Sequence, residues 1–420
     1  MAKTVPLDDA ALAWARNAFA GYYRSTAVEP PDRLSRREFA AFPFSTETLM
    51  RRHATLRTQE EFRGFLVREV PRHVYYSSAY YRRPAEPTMP AKEWLGADLI
   101  FDLDSDHLRG ASELDYPGQL SLVKRRLVQL VDDFLFRDFG IDPAATALVF
   151  SGGRGYHVHV RDERFLPLSS PERRELVDYV LGTGIEPMRA VRARRAGPHV
   201  DSLDGSDGEA PAVRRGRAAP TVRYLAPPDA PGWEGRTTRA VLEVLARWES
   251  AGADAAAKEM VGYGIPPAKA RPWAKLLVDD GGAEKIRRTL SLEIFPKAVP
   301  TEFLEAVVPR ASVEVQGETD APVTTDIHRL IRLPGSLHGG TGLRVVPLSR
   351  DALDDFDPFR DALLASAEDG RTPVTFAEEV RYPFPGGGIH GVAGAEDELP
   401  TPLALFLVLR GEAALRPSPG

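Results

Sequence analysis

There is no cysteine anywhere in the 420 residues. Disulfides and cysteine-ligated zinc are therefore excluded, and a reducing compartment is the simpler setting. Long hydrophobic runs are missing as well. A membrane helix needs roughly 18–20 apolar residues, and the best stretch, Pro402 to Leu409, is far too short. The N-terminal MAKTVPLDDAALAWARNAFA has no charged segment leading into an unbroken apolar one, so no signal peptide is expected. Together these absences predict a cytoplasmic protein with no membrane contact. An excess of positive charge is lacking too. With 60 acidic and 54 basic residues the net charge is −6, which argues against a protein that coats duplex DNA but leaves room for a local basic groove. No internal repeat is found.

What is present is ordinary globular composition, 43% hydrophobic and 27% charged, enough for two or three packed units. Residues 8–24 space Leu12, Ala15, Phe19 and Tyr22/Tyr23 as a helix. Residues 97–104, ADLIFDLD, form an apolar run that ends in carboxylates and predict a buried strand. Residues 119–139 predict a long amphipathic helix stopped by Gly140, with Leu120, Val123, Leu127, Val131 and Phe134/Leu135 buried. TALVFS (146–151) and YHVHV (156–160) predict two strands joined by a glycine turn. Ser170-Pro171 opens another helix.

Residues 190–235 alternate arginine with Asp, Gly, Ser and Pro and predict a flexible surface insertion. Residues 237–300 predict mostly helix, with Val241, Leu242, Leu245 and Trp248 on one face. ASVEVQ (311–316) predicts a strand, 324–333 a short helix stopped by Pro334, LRVVPL (343–348) a strand, and 365–420 an acidic, proline-broken tail.

Three groups of residues carry chemistry. Asp102 and Asp104 stand two apart at a strand end, so alternation puts both carboxylates on one face. Such a pair repels itself unless a cation intervenes, and oxygen-rich sites suit magnesium or manganese. A solvated strand end is the plainer account of DLDSD. In SGGRGYH (151–157) the glycines allow backbone N–H groups close to an anion, and Arg154 can add a bidentate phosphate contact. His157 and His159 share one strand face. They suit zinc in principle, but the carboxylate pair favours magnesium. A glycine hairpin with two hydrogen-bonded histidines is the structural alternative. The third group is Asp320 followed by Arg329, Arg332, Ser336 and His338; a turn aspartate and a solvated basic helix face would explain these singly.

In order and type, FDLD (101–104), SGGRGYH (151–157) and ETDAPVTTDIHRLIRLPGSLHGGTGL (318–343) resemble the three motifs of the archaeal/eukaryotic-type DNA primase small subunit. The resemblance spans roughly 35–350 and is weakest from 185 to 310. It implies an α+β fold, a primase catalytic core with a mixed or antiparallel sheet flanked by helices plus a mostly helical insertion. The core would comprise 1–185 with 310–360, the insertion 186–309, and the tail 361–420.

The resemblance further implies that Asp102, Asp104 and Asp320 are catalytic and hold two divalent ions, Mg2+ or Mn2+. Asp326 competes for the third place; Asp320 is preferred because the family's third aspartate lies well upstream of the histidine matched by His338, and because Asp326 is expected where the short helix begins. Ser151, Arg154, His157, Arg332 and His338 would bind the triphosphate. RREFAAFPFSTETLMRRH (36–53) resembles a further family element that would bring Arg51 or Arg52 near the phosphates.

Implied partners are a primase large subunit in a heterodimer, a single-stranded DNA template and nucleoside triphosphates. Two departures stand out. The stretch 105–122 has no cysteine where relatives carry a zinc motif, so no zinc is predicted, and Gly340 replaces a common lysine. A repair polymerase of the same superfamily, a metal-dependent phosphoesterase and a non-catalytic structural subunit are the rival readings.

Overall fold

The computed structural model describes residues 7–45, 49–195, 221–293, 299–364 and 370–416. Two compact units emerge. One is built from Met1–Leu181 and Gly317–Gly420, the other from Gly182–Gln316. No helix among the described residues is long and apolar enough to cross a membrane.

The first unit is α+β with antiparallel sheets. One four-stranded sheet runs in the order Val346–Leu348, Thr146–Phe150, Gly155–Val160, Leu99–Asp104, every neighbour antiparallel. Its two inner strands form the expected hairpin. The strand LIFDLD buries Leu99, Ile100, Phe101 and Leu103 while Asp102 and Asp104 are only half-buried, as expected where a core strand runs out to solvent. The helix Tyr116–Gln129, capped by Asp115, continues through widened turns over Leu130–Phe136 and buries Leu120, Val123, Leu127, Val131, Phe134 and Leu135.

A second four-stranded sheet has the order Leu330–Arg332, His73–Ser77, Phe39–Phe42, Arg51–Ala54. Here the structure departs from expectation. The helix expected over 324–333 is instead a one-turn helix, Ala321–Thr325, followed by the strand Leu330–Arg332 on the sheet edge. Pro334 disfavours helical backbone just before it, and pairing with His73–Ser77 takes up the extended residues.

The expected tail is folded structure. Residues 371–416 supply the three-stranded sheet Glu396–Pro400, Arg371–Phe376, Ala413–Leu415 and the helix Thr401–Arg410. That helix buries Ala404 through Leu409; a helix apolar on all sides must be covered on all sides. The short length of the apolar patch hid it among prolines and acids in the sequence.

The second unit is mainly helical around Val241, Val244, Leu245, Trp248, Phe303 and Val307. ASVEVQ proves to be mostly the end of the helix Thr301–Glu314, not a strand. Leu304, Val307/Val308 and Ala311 recur at helical steps on its buried face, while Val313 is exposed. The segment expected as a flexible insertion contributes a two-stranded ribbon, Val191–Arg195 with Thr221–Leu225; residues 196–220 lie outside the described residues.

Candidate active site

Antiparallel register sets Asp102 opposite His157 and Asp104 opposite Gly155. Asp102, Asp104 and His157 face a cleft of about 630 Å³ lined also by Tyr75, Ser151, Gly153, Arg154, Arg329, Arg332, His338, Thr341 and Arg410. Seven of the eight residues singled out from sequence therefore meet in one place.

The eighth, Asp320, approaches through the backbone. Its N–H donates to the Asp102 carbonyl at 2.8 Å, and the Thr319 hydroxyl donates to the same oxygen at 3.2 Å. Glu318 fixes this segment through Arg109 and Arg126. Asp320 precedes the short helix, whereas Asp326 follows it and accepts the N–H of His328 at 2.9 Å. The sequence places Asp326 at the start of a helix over 324–333; the structure instead has it close the shorter helix, whose first turn holds Pro322.

Burial, then the neighbouring charges of Asp104 and Asp320, push the Asp102 carboxyl up to about 7, against the pull of Arg329 and His107. Such crowding of like charges is the condition a bound cation relieves. Two strand-borne carboxylates with a third aspartate alongside fit a hard divalent ion by donor chemistry. Among the described residues no three carboxylate or imidazole groups already stand close enough to hold one ion. The Asp320 side chain is not among the groups that line the cleft.

The turn Ser151–Gly155 is held by its own serine. Ser151 Oγ accepts from the N–H of both Gly153 and Gly155 at 3.3 Å. Those two donors, expected to face an anion, are thus spoken for inside the turn. The glycines are needed for close approach. Gly152 has φ +75°, and a Cβ there would lie 2.7 Å from the His338 Cβ. A Cβ on Gly155 would lie 2.2 Å from the Leu103 carbonyl.

His338 is fixed from two sides. The helix Asp9–Ser25 holds its loop: Tyr22 donates to the Gly335 carbonyl at 2.7 Å, and Tyr23 accepts from Leu337 N–H at 3.3 Å. The Thr341 hydroxyl donates to the Gly152 carbonyl, tying loop to turn at 2.5 Å. His338 Nδ1 accepts the Gly340 N–H at 3.2 Å. Burial and the charge of Arg332 keep this imidazole neutral, so its proton sits on Nε2, a donor available to a ligand.

His157 is also neutral, pushed down to about 3 by burial and by Arg332 and Arg329. Its Nε2 stands 3.6 Å from an Asp102 oxygen. Arg332 donates to His73 Nδ1 at 2.6 Å and lies over the Tyr75 ring. Arg154 faces Asp104 at 3.8 Å and pairs closely with Asp106.

Arg51 and Arg52 do not reach the cleft. Arg51 pairs with Glu69 at 3.3 Å and Arg52 with the buried Glu38 at 3.1 Å, partners too distant in sequence to be foreseen. The sequence reading missed Tyr75, Thr341 and Arg410. Tyr75 lies outside the motifs, Thr341 lies within the third motif segment but was given no role, and Arg410 lies in the segment taken for a tail.

The cleft thus brings both charge types together. Two carboxylates, with Asp320 bonded through its backbone beside them, share it with four guanidinium groups and two neutral imidazoles. The matching family description is "DNA primase small subunit", over residues 101–350. The DNA primase small subunit PriS of Methanocella arvoryzae is 38% identical over 98% of this chain and 100% of its own length. That of Methanothrix thermoacetophila is 38% identical over 95% and 97%, and that of Natronomonas pharaonis 36% over 95% and 97%. The likeness therefore runs through the C-terminal segment as well as the motifs. On this similarity, and with a cleft of matching chemistry, the chain belongs to the DNA primase small-subunit family, nucleotidyltransferases that synthesise RNA primers.

Proposed function

We propose that the cleft binds a nucleoside triphosphate, with the arginines on its phosphates and the aspartates at the reacting bond, and that the chain builds short RNA primers on a single-stranded DNA template. The observation that carries this reading is the meeting, in one cleft, of a strand-borne carboxylate pair with four guanidinium groups. Asp102, Asp104 and Asp320 are the catalytic residues and would hold two divalent ions, Mg2+ or Mn2+. When bound, these ions lower the pKa of the attacking 3′-hydroxyl and stabilise the leaving pyrophosphate.

The chain's own groups do the positioning. Arg154 and Arg332 take phosphate oxygens; Arg154 exchanges its Asp106 partner for them. His338 donates from Nε2, and Ser151 keeps its hydroxyl proton for the ligand while its lone pairs hold the turn. His157, being neutral, orients Asp102 without cancelling the charge a cation needs. Most of the rate gain is then placement and charge neutralisation in a prepared site.

The relatives are called small subunits, and we read the chain as one half of a heterodimer with a primase large subunit. The test is synthesis on single-stranded DNA with nucleoside triphosphates and either metal, in parallel without and with an added primer, and with and without that subunit. De novo RNA products support the reading. Extension of supplied ends alone indicates a repair polymerase, and template-independent hydrolysis a phosphoesterase; either result overturns it.

A further inference from the structure

Of the four guanidinium groups in the cleft, three come from the recognised motifs. The fourth, Arg410, is the last residue of the helix Thr401–Arg410. Its placement is elaborate for a surface cation. The guanidinium lies 4.1 Å from the centre of the Tyr116 ring, and its side chain is only 20% exposed. The Tyr116 hydroxyl in turn donates to the Gly153 carbonyl at 2.6 Å, so one phenol joins Arg410 to the turn that carries Arg154.

On the other side, Glu412 accepts from Arg410 Nε at 2.7 Å and also meets Nη2. The Tyr382 hydroxyl donates to both oxygens of that carboxylate at 2.8 Å. The Nε and Nη2 side is thereby occupied, which leaves the Nη1 edge for a ligand. A guanidinium fixed by a carboxylate and an aromatic face loses little freedom on binding an oxyanion. The same cleft has glycine, without a side chain, at position 340.

We infer that Arg410 is a further phosphate-binding residue of the nucleotide site, so that the C-terminal segment supplies part of the polyphosphate cradle. This rests on the reading of the cleft as a nucleoside triphosphate site. Because Glu412 balances its charge, Arg410 contributes a pre-placed donor more than a general attraction. Its effect should therefore appear as discrimination by phosphate number.

The test is titration of the full chain with ATP, ADP and AMP in the presence of Mg2+, comparing wild type, Arg410→Gln and Arg410→Lys. Loss of Arg410 strands the buried Glu412 carboxylate, so Arg410→Gln/Glu412→Gln is measured alongside. Affinity ratios within one preparation do not depend on the folded fraction. Arg410→Gln and the double variant should reduce the ATP-over-AMP preference about ten-fold, with partial recovery in Arg410→Lys. An unchanged ratio, or equal weakening for all three nucleotides, would show that Arg410 only holds the fold and would overturn the inference. Absence of any triphosphate preference in the wild-type protein would instead overturn the reading of the cleft.

Discussion

Asp102 shows what single residues were able to tell. Two-residue alternation alone placed it with Asp104 on one strand face, and the register across to His157 and Gly155 agrees. The crowding by Asp320 was legible only from the motif resemblance, because it depends on a backbone hydrogen bond between residues 218 positions apart in the chain. That crowding has a measurable sign. A carboxyl raised to about 7 keeps a proton in the folded chain that the unfolded chain has released. Its contribution to stability is therefore lost as pH rises from the ordinary carboxylate range, near 4, towards 7. In metal-free protein at pH 8, Asp102→Asn should raise stability by on the order of 2 kcal/mol, after discounting for partial exposure. Thermal unfolding in chelator measures this, and a variant less stable than wild type would contradict the crowding. Arg410 shows the opposite case. An arginine after a short apolar run reads as a solvated helix end, and nothing local signals that Tyr116 and Glu412 fix it in the cleft.

At the scale of elements, strands with strong alternation or unbroken apolar runs were readable, as were helices with a full buried face. The failures have a common cause. Residues 311–316 alternate like a strand but continue a helix that began ten residues earlier, at Thr301. Residues 330–332 lack periodicity of their own and take their form from an edge position beside His73–Ser77. The hairpin turn and the loop at 338–342 are a coupled pair, and this coupling predicts two outcomes. Gly152→Ala needs both a left-handed backbone and space already filled by His338. It should cost about 1–3 kcal/mol and weaken triphosphate binding, read by denaturant titration and nucleotide affinity; normal binding would separate the turn from the site. Gly342 packs against Leu405, which a Cβ there would meet at 2.9 Å. Leu405→Ala, by opening a cavity beneath this loop, should destabilise by about 2–5 kcal/mol, measured as a shift in the urea midpoint. A loss under half a kilocalorie would show that the C-terminal helix is not a support of the site.

For the whole molecule, composition was informative by exclusion. It ruled out disulfides and a coat of positive charge, and the cleft concentrates its cations locally in a chain that is acidic overall. It could not foresee how many buried and half-buried histidines would be held uncharged. His73, His157, His159 and His338 are all held below their usual range, first by burial. Each takes up a proton on unfolding, so stability should fall as pH drops below about 6.5. Asp102 acts in the reverse sense but is one group against four. Melting temperature across pH 7 to 5 tests this; a flat profile would mean that these imidazoles are more open to solvent than the fold implies.

The central claim is that the third metal-binding carboxylate is the one beside Asp102 and not the one six residues later. Primer synthesis by Asp320→Asn and Asp326→Asn, each checked for native melting, decides it. The account predicts loss of synthesis in Asp320→Asn by at least about a hundred-fold, roughly 2.7 kcal/mol of barrier, with Asp326→Asn active within a few-fold of wild type. A fully active Asp320→Asn, or an inactive but folded Asp326→Asn, would contradict it.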